Sequence, residues 1–138
     1  IIVPFRTPKS AKIYRELWTE EGSPLLIYTN SVKEKLQQQL GPEYKIEMAM
    51  RYQNPTMDDV LERMRKDCYD RIIILPLFPQ YASASNGSAI EKALKIISGW
   101  WVIPELKVIS QFFDNENYIN TILKIAEKYN TDDYFDDV

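Results

Sequence analysis

The chain contains no histidine. That absence removes the commonest general acid–base and the commonest nitrogen ligand for metals. Ser-His-Asp and Cys-His arrangements are excluded with it. One cysteine, Cys68, rules out an internal disulfide and a multi-cysteine metal site. Glycine is scarce, with 4 residues. Gly87 has neither the Walker spacing nor the G-x-G-x-x-G spacing of a phosphate loop. A basic excess is also missing: 17 Lys and Arg stand against 20 Asp and Glu, for a net charge of -3. That balance argues against a nucleic-acid partner. No stretch reads as a signal peptide or a membrane span, so a cytoplasmic location is expected.

What is present suits one soluble α/β domain. The 138 residues are 45% hydrophobic and 27% charged, enough for a real core. The chain opens Ile1-Ile2-Val3-Pro4-Phe5 and closes Phe135-Asp136-Asp137-Val138, so both ends read as cut through a domain. Thr7-Pro8 starts a helix that carries Ala11, Tyr14, Leu17 and Trp18 on one face and stops at Glu21-Gly22. Ser23-Pro24 repeats the start signal. Leu25-Leu26-Ile27-Tyr28 alone reads as a strand, but Leu25, Thr29, Val32, Leu36 and Leu40 have helical spacing. With Gly41-Pro42 as a stop, one helix over 24–40 is preferred.

Residues 44–50 alternate and predict a strand that ends in the turn Arg51-Tyr52-Gln53-Asn54-Pro55. A helix follows from Thr56 as N-cap, with Asp58 and Asp59 in its first turn and Val60, Leu61 and Met64 on its apolar face. A strand over 71–78 then feeds a helix of about 86–98. Gly99, Trp100, Trp101 and Pro104 mark an irregular link to a third strand, 106–110. A last helix begins at Asn115 or Asn117 and buries Tyr118, Ile122, Ile125 and Ala126. Strands alternating with helices, and no tight hairpin between them, predict a parallel sheet with helices on both faces.

In such sheets ligands bind at the carboxyl ends of the strands. Three places fit. The first is Arg6 with Tyr14 and Ser23, although Arg6 also reads as a surface arginine, Tyr14 as core and Ser23 as a helix cap. The second is Arg51-Tyr52, whose other reading is an ion pair and a packed ring. The third is Pro79-Gln80-Tyr81 through Gly87-Ser88, where Ser83 and Ser85 offer hydroxyls in a small-residue turn. Cys68 reads as a small residue packed at a helix end rather than a reactive thiol. Trp100-Trp101 reads as packing rather than a cofactor platform. The pairs Asp132-Asp133 and Asp136-Asp137 read as a solvated terminal turn.

The wording of these segments resembles the N-terminal half of the ferrochelatases. The resemblance rests on Arg6-Thr7-Pro8-Lys9 followed by Tyr14, Gly22-Ser23-Pro24-Leu25, Met50 through Pro55, and Leu75-Pro76-Leu77-Phe78-Pro79-Gln80-Tyr81 through Gly87-Ser88. It implies a three-layer α/β/α sandwich with a parallel sheet, here an incomplete domain over 1–138. The first strand would precede Ile1 and the catalytic C-terminal half would follow Val138. It implies insertion of ferrous iron into a porphyrin, with the C-terminal half of the same enzyme as partner and peripheral membrane association admitted for the parent. By the same resemblance Arg6, Tyr14 and Ser23 contact the porphyrin, while Arg51, Tyr52, Gln80, Tyr81, Ser83 and Ser85 line the cleft. The family's metal-handling His and its acidic partner lie beyond Val138, so no catalytic or metal residue is expected here. Relatives with an iron–sulfur cluster carry Cys at the position of Ser83, so no cluster and no resident cofactor are expected. The Tyr14–Ser23 spacing is longer than in some relatives. The competing reading is a non-catalytic tetrapyrrole- or metabolite-binding α/β module. A flavodoxin-like nucleotide binder would need a phosphate loop that the sequence lacks.

Overall fold

Helix formation is strongest where a start signal and a stop signal bracket the chain. Residues 24–40 show this in the computed structural model, which describes residues 18–129 apart from residue 21. Helix α1 runs Pro24–Leu40, with Pro24 in its first turn and Gly41 (φ 74°) at its end. The Gln37 side chain extends the stop. Its Nε2 donates to the carbonyls of Gly41 (2.9 Å) and Tyr44 (2.7 Å), and its Oε1 accepts from the Ile46 N–H at 3.0 Å. Residues 18–20 are not helical, and Thr19 forms an antiparallel bridge with Gly22. The Thr7 helix start, Ala11, Tyr14 and Leu17 lie outside the described residues.

The strand expected over 44–50 is not one. Its backbone from 45 to 49 is irregular, and Met50 closes a turn, from its N–H to the Pro55 carbonyl at 2.7 Å. Alternation reports which side chains face in, but a strand also needs a neighbour. Here the Gln37 side chain supplies the hydrogen bond to Ile46 that a ladder would have given. Glu47 lies near Lys33 (3.9 Å) and Lys45 (3.8 Å).

The chain divides into compact units 1–55 and 56–138. In the second, Thr56 caps helix α2 (Met57–Lys66) by accepting the Asp59 N–H at 3.1 Å, as its position predicts. Arg65 donates to both oxygens of Glu62, at 2.7 and 2.8 Å, and holds that carboxyl below the usual carboxylate range. Cys68 follows the helix at φ 56°, the left-handed position where Gly or Asn usually ends a helix. Its side chain is exposed, so the packed role expected for it is corrected: the backbone ends the helix and leaves the thiol outside.

Strands β1 (Arg71–Ile74) and β2 (Glu105–Val108) pair in parallel, Arg71 opposite Glu105 and Ile74 opposite Val108. An exposed Arg71–Glu105 ion pair at 2.7 Å marks where the register begins. Both strands are shorter than the expected 71–78 and 106–110. Pro76 and Pro79 have no N–H to give a ladder, so regular pairing ends at Ile74. Helix α3 (Ser88–Ile97) crosses back from β1 to β2. Its Ala93 and Ile97 meet Leu61 of α2 in the core, with Met57, Met64, Ile74, Ile96, Trp100 and Leu106 packed around them. Lys92 of α3 bridges to Asp58 of α2 at 2.8 Å. The parallel α/β class read from the sequence is thus the class observed.

Trp100 packs as expected, but Trp101 is fully exposed, followed by exposed Val102 and Ile103. Helix α4 (Glu116–Tyr129) begins after Asn115, whose Oδ1 accepts the N–H groups of Asn117 and Tyr118. Its expected buried face is corrected. Tyr118 is half-buried against Phe112, edge to face at 5.7 Å, whereas Ile122, Ile125 and Ala126 are exposed. The apolar stripe is real, but no described residue covers it.

Two stability outcomes follow from these contacts. Ile97 is 0% exposed, so Ile97→Ala should cost about 3 kcal/mol in chemical denaturation and Ile97→Val about 1. Cys68→Gly should raise stability by about 1 kcal/mol, because it relieves the left-handed backbone. A loss on Cys68→Gly would show that the thiol contributes more than the backbone strain.

Candidate functional site

The carboxyl end of the parallel pair is where the two chains part. Ile109 N–H still reaches the Ile74 carbonyl at 2.9 Å, and the next backbone bond joins Phe112 N–H to the Pro79 carbonyl, also at 2.9 Å. Between these bonds the chain after β1 has more residues than the chain after β2, so the two fall out of step around the buried Pro76. The carbonyls of Phe78 and Ser110 are left in the gap. Asn86 fills it. Its Nδ2 donates to Phe78 O at 2.9 Å and to Ser110 O at 2.8 Å. Its Oδ1 accepts from Ser85 Oγ at 3.0 Å and from the Ala82 N–H at 3.4 Å. Asn86 is 0% exposed, and its carboxamide uses its full donor and acceptor capacity.

The turn that carries Asn86 is a π-helical one, Ser83–Gly87, running straight into α3. Gly87 N–H reaches back to the Ala82 carbonyl at 3.1 Å, one residue further than in an α-helix. Such wide turns recur at functional sites because they re-aim side chains without ending the helix. The helix expected over 86–98 is therefore α-helical over 88–97, with the π turn before it. Here the turn brings Gly87 under Tyr81: a Cβ at Gly87 would lie 2.9 Å from the Tyr81 hydroxyl oxygen. Gln80, Tyr81 and Ser83 are exposed and Ser85 is half-buried. Ser83 makes no side-chain hydrogen bond among the described residues, whereas Ser85 is tied to Asn86.

Arg51 and Tyr52 belong to the first unit. They sit in the turn closed by the Met50–Pro55 bond, which includes a cis Asn54–Pro55 peptide. The Arg51 guanidinium carbon lies 4.7 Å from the centre of the Tyr52 ring, and that ring is 80% exposed. An exposed stack of this kind contributes about 0.5–1 kcal/mol and keeps the cation at the surface. The alternative of a Tyr52 ring packed on a helix is not what is observed.

Ser23 occupies the N-cap position of α1, but its side chain makes no capping hydrogen bond. The reading of Ser23 as fully used by a cap is corrected: it holds the N-cap position, but its hydroxyl accepts none of the first-turn N–H groups. Arg6 and Tyr14 lie outside the described residues. Gln80, Tyr81, Ser83 and Ser85 share one loop, and Arg51 and Tyr52 share one turn. Asn86 and Gly87 were missed as individual residues. The only signal was a buried strand feeding a Ser-, Asn- and Gly-containing turn. Among the described residues no cluster of His, Cys, Asp and Glu is arranged to hold a metal ion, and no helix is long and apolar enough to cross a membrane.

A parallel strand–helix–strand unit with an aromatic, hydroxyl-bearing loop at its carboxyl edge defines part of an α/β domain. Residues 1–136 match the Ferrochelatase family, and the chain belongs to it. It is 46% identical over 134 residues to the ferrochelatase of Legionella pneumophila (strain Paris), a stretch that covers 97% of this chain and 40% of that protein. It is 37% identical over 133 residues to the ferrochelatase of Chromobacterium violaceum, covering 94% of this chain and 36% of that protein. The Coxiella burnetii (strain Dugway 5J108-111) ferrochelatase is 34% identical over 127 residues, covering 92% and 35%. The chain therefore spans about two-fifths or less of the length of these curated relatives.

Removing the Asn86 carboxamide leaves two carbonyls without their donor. Asn86→Ala should cost about 2–3 kcal/mol in chemical denaturation. A loss below about 0.5 kcal/mol would mean that water replaces the amide without penalty.

Proposed function

We propose that this chain supplies the porphyrin-cleft wall of a ferrochelatase, a lyase of the cytoplasm that inserts ferrous iron into a porphyrin to make haem. The observation that carries this reading is the family match over residues 1–136, joined to the exposed loop and turn at its most specific segments. Residues 1–138 are then part of an N-terminal α/β domain, completed by the rest of the longer enzyme.

A porphyrin is a flat aromatic macrocycle with carboxylate side chains. Exposed tyrosine rings at 52 and 81 suit its faces and edges, and arginines suit its propionates. We assign Arg6, Tyr14 and Ser23 to porphyrin contact, and Arg51, Tyr52, Gln80, Tyr81, Ser83 and Ser85 to the lining. Their task is to hold the ring in a bent form that turns the pyrrole nitrogen lone pairs toward the incoming metal. The pyrrole protons must leave as iron enters. With no histidine in this chain, that role and metal delivery are assigned to the remainder of the enzyme. Ferrous iron is substrate here. No resident cofactor or iron–sulfur cluster is assigned, since Ser83 cannot serve as a thiolate ligand.

In the full-length enzyme, Arg51→Ala and Arg6→Ala should each raise KM for a dicarboxylic porphyrin about tenfold, the scale of one lost charge-assisted hydrogen bond. The effect should vanish with a porphyrin whose carboxylates are esterified. Unchanged KM in both variants would overturn the propionate assignment. Porphyrin binding by the full-length protein with no metalloporphyrin formed would favour a non-catalytic tetrapyrrole-binding module.

A further inference from the structure

We infer that Asn86 and Gly87 act together as the positioning element of the porphyrin-facing loop, Asn86 setting its backbone and Gly87 seating Tyr81. The inference rests on the cleft reading above and adds residues that do not themselves face the ligand. Asn86 joins three separate stretches of chain: Phe78 after β1, Ser110 after β2, and Ala82–Ser85 in the loop. Beside the backbone bond from Phe112 N–H to the Pro79 carbonyl, this side chain ties the loop to the frame of the sheet. The same amide orients a ligand-facing group. The Ser85 hydroxyl lies 3.0 Å from Asn86 Oδ1 and 3.4 Å from the Ala82 carbonyl, so its one proton is used within the loop and its lone pairs are left to accept from a ligand.

Gly87 completes the seat. Its backbone is ordinary right-handed helix (φ -58°), so nothing in its own conformation demands glycine. The demand comes from Tyr81, whose hydroxyl occupies the space of a Cβ. Any larger residue pushes the ring aside. Tyr81 is half exposed, so the push should cost little stability and show itself in the position of the ring. No single substitute reproduces Asn86. Asp offers no donor to the two carbonyls when ionised. Thr offers one donor where two are needed.

The test uses the full-length enzyme and measures the porphyrin Kd by absorbance titration, with kcat and KM beside it. Asn86→Thr and Gly87→Ala are compared with Ile97→Val, which lowers stability in the core away from the loop. Asn86→Thr and Gly87→Ala should each weaken porphyrin binding about tenfold, the equivalent of one lost hydrogen bond. Ile97→Val should leave Kd unchanged. Gly87→Ala should also lose most of its effect in a Tyr81→Ala background, because the displaced ring is already gone. Wild-type Kd in folded Asn86→Thr, or an undiminished Gly87→Ala effect without the Tyr81 ring, would overturn the inference. If Asn86→Thr does not fold, the Gly87 and Tyr81 pair decides. Failure of the wild-type enzyme to bind porphyrin would instead overturn the cleft reading itself.

Discussion

The hydrogen bonds of one buried carboxamide carry the geometry of the candidate site. A parallel pair of strands is held by backbone bonds only while both chains keep N–H groups in step. Two prolines remove that condition after Ile74. The ladder then stops, which leaves two carbonyls at the carboxyl end without backbone donors. Asn86 supplies both missing donors and returns its oxygen to the loop. Opening the sheet and fixing the loop are therefore one event. A site built this way is stiff for a simple reason: each departure from its geometry breaks a hydrogen bond that has no nearby replacement.

The frame behind the loop is modest. Its fully described core is the α2–α3 contact over one face of the two-stranded sheet, centred on Leu61, Ala93 and Ile97. Elsewhere apolar side chains stay accessible, among them Ile73 of β1 and Leu123 of α4. The stabilising burial is thus concentrated directly beneath α3, the helix that the π turn opens into. The loop and the core share that helix: the loop joins it at Ser88, and the core packs against its later turns at Ala93 and Ile97.

Much of this was legible in the sequence, and the boundary is physical. Helices announce themselves locally. Ser23-Pro24 with Gly41-Pro42 fixed α1 to the residue, and Thr56 with Asp59 fixed the start of α2. Strand pairing is not local. Residues 44–50 have the period of a strand but form no ladder among the described residues, while Pro76 and Pro79 visibly interrupt a run that apolarity alone extended to residue 78. Burial is less local still: α4 has the stripe of a buried helix, and the stripe is exposed. The loop was recognisable as a ligand site from its place and wording. The role of Asn86 was not, because it depends on Ser110, distant in the sequence, and on a π-helical bond that no residue pattern encodes.

Ser83 is exposed at the start of the same turn, and its hydroxyl makes no hydrogen bond among the described residues. Its backbone carbonyl accepts the Ser88 N–H and helps close the turn, while its side chain contributes nothing to holding it. Such a residue is free to change by single substitution while the scaffold stays intact. Asn86 and Gly87 carry the opposite burden, since their value lies in shape rather than in contact with a ligand. Mutational tolerance should therefore be uneven within five consecutive residues: high at the first, where new ligand chemistry can be tried, and low at the last two, where the fold would be lost or the seat filled.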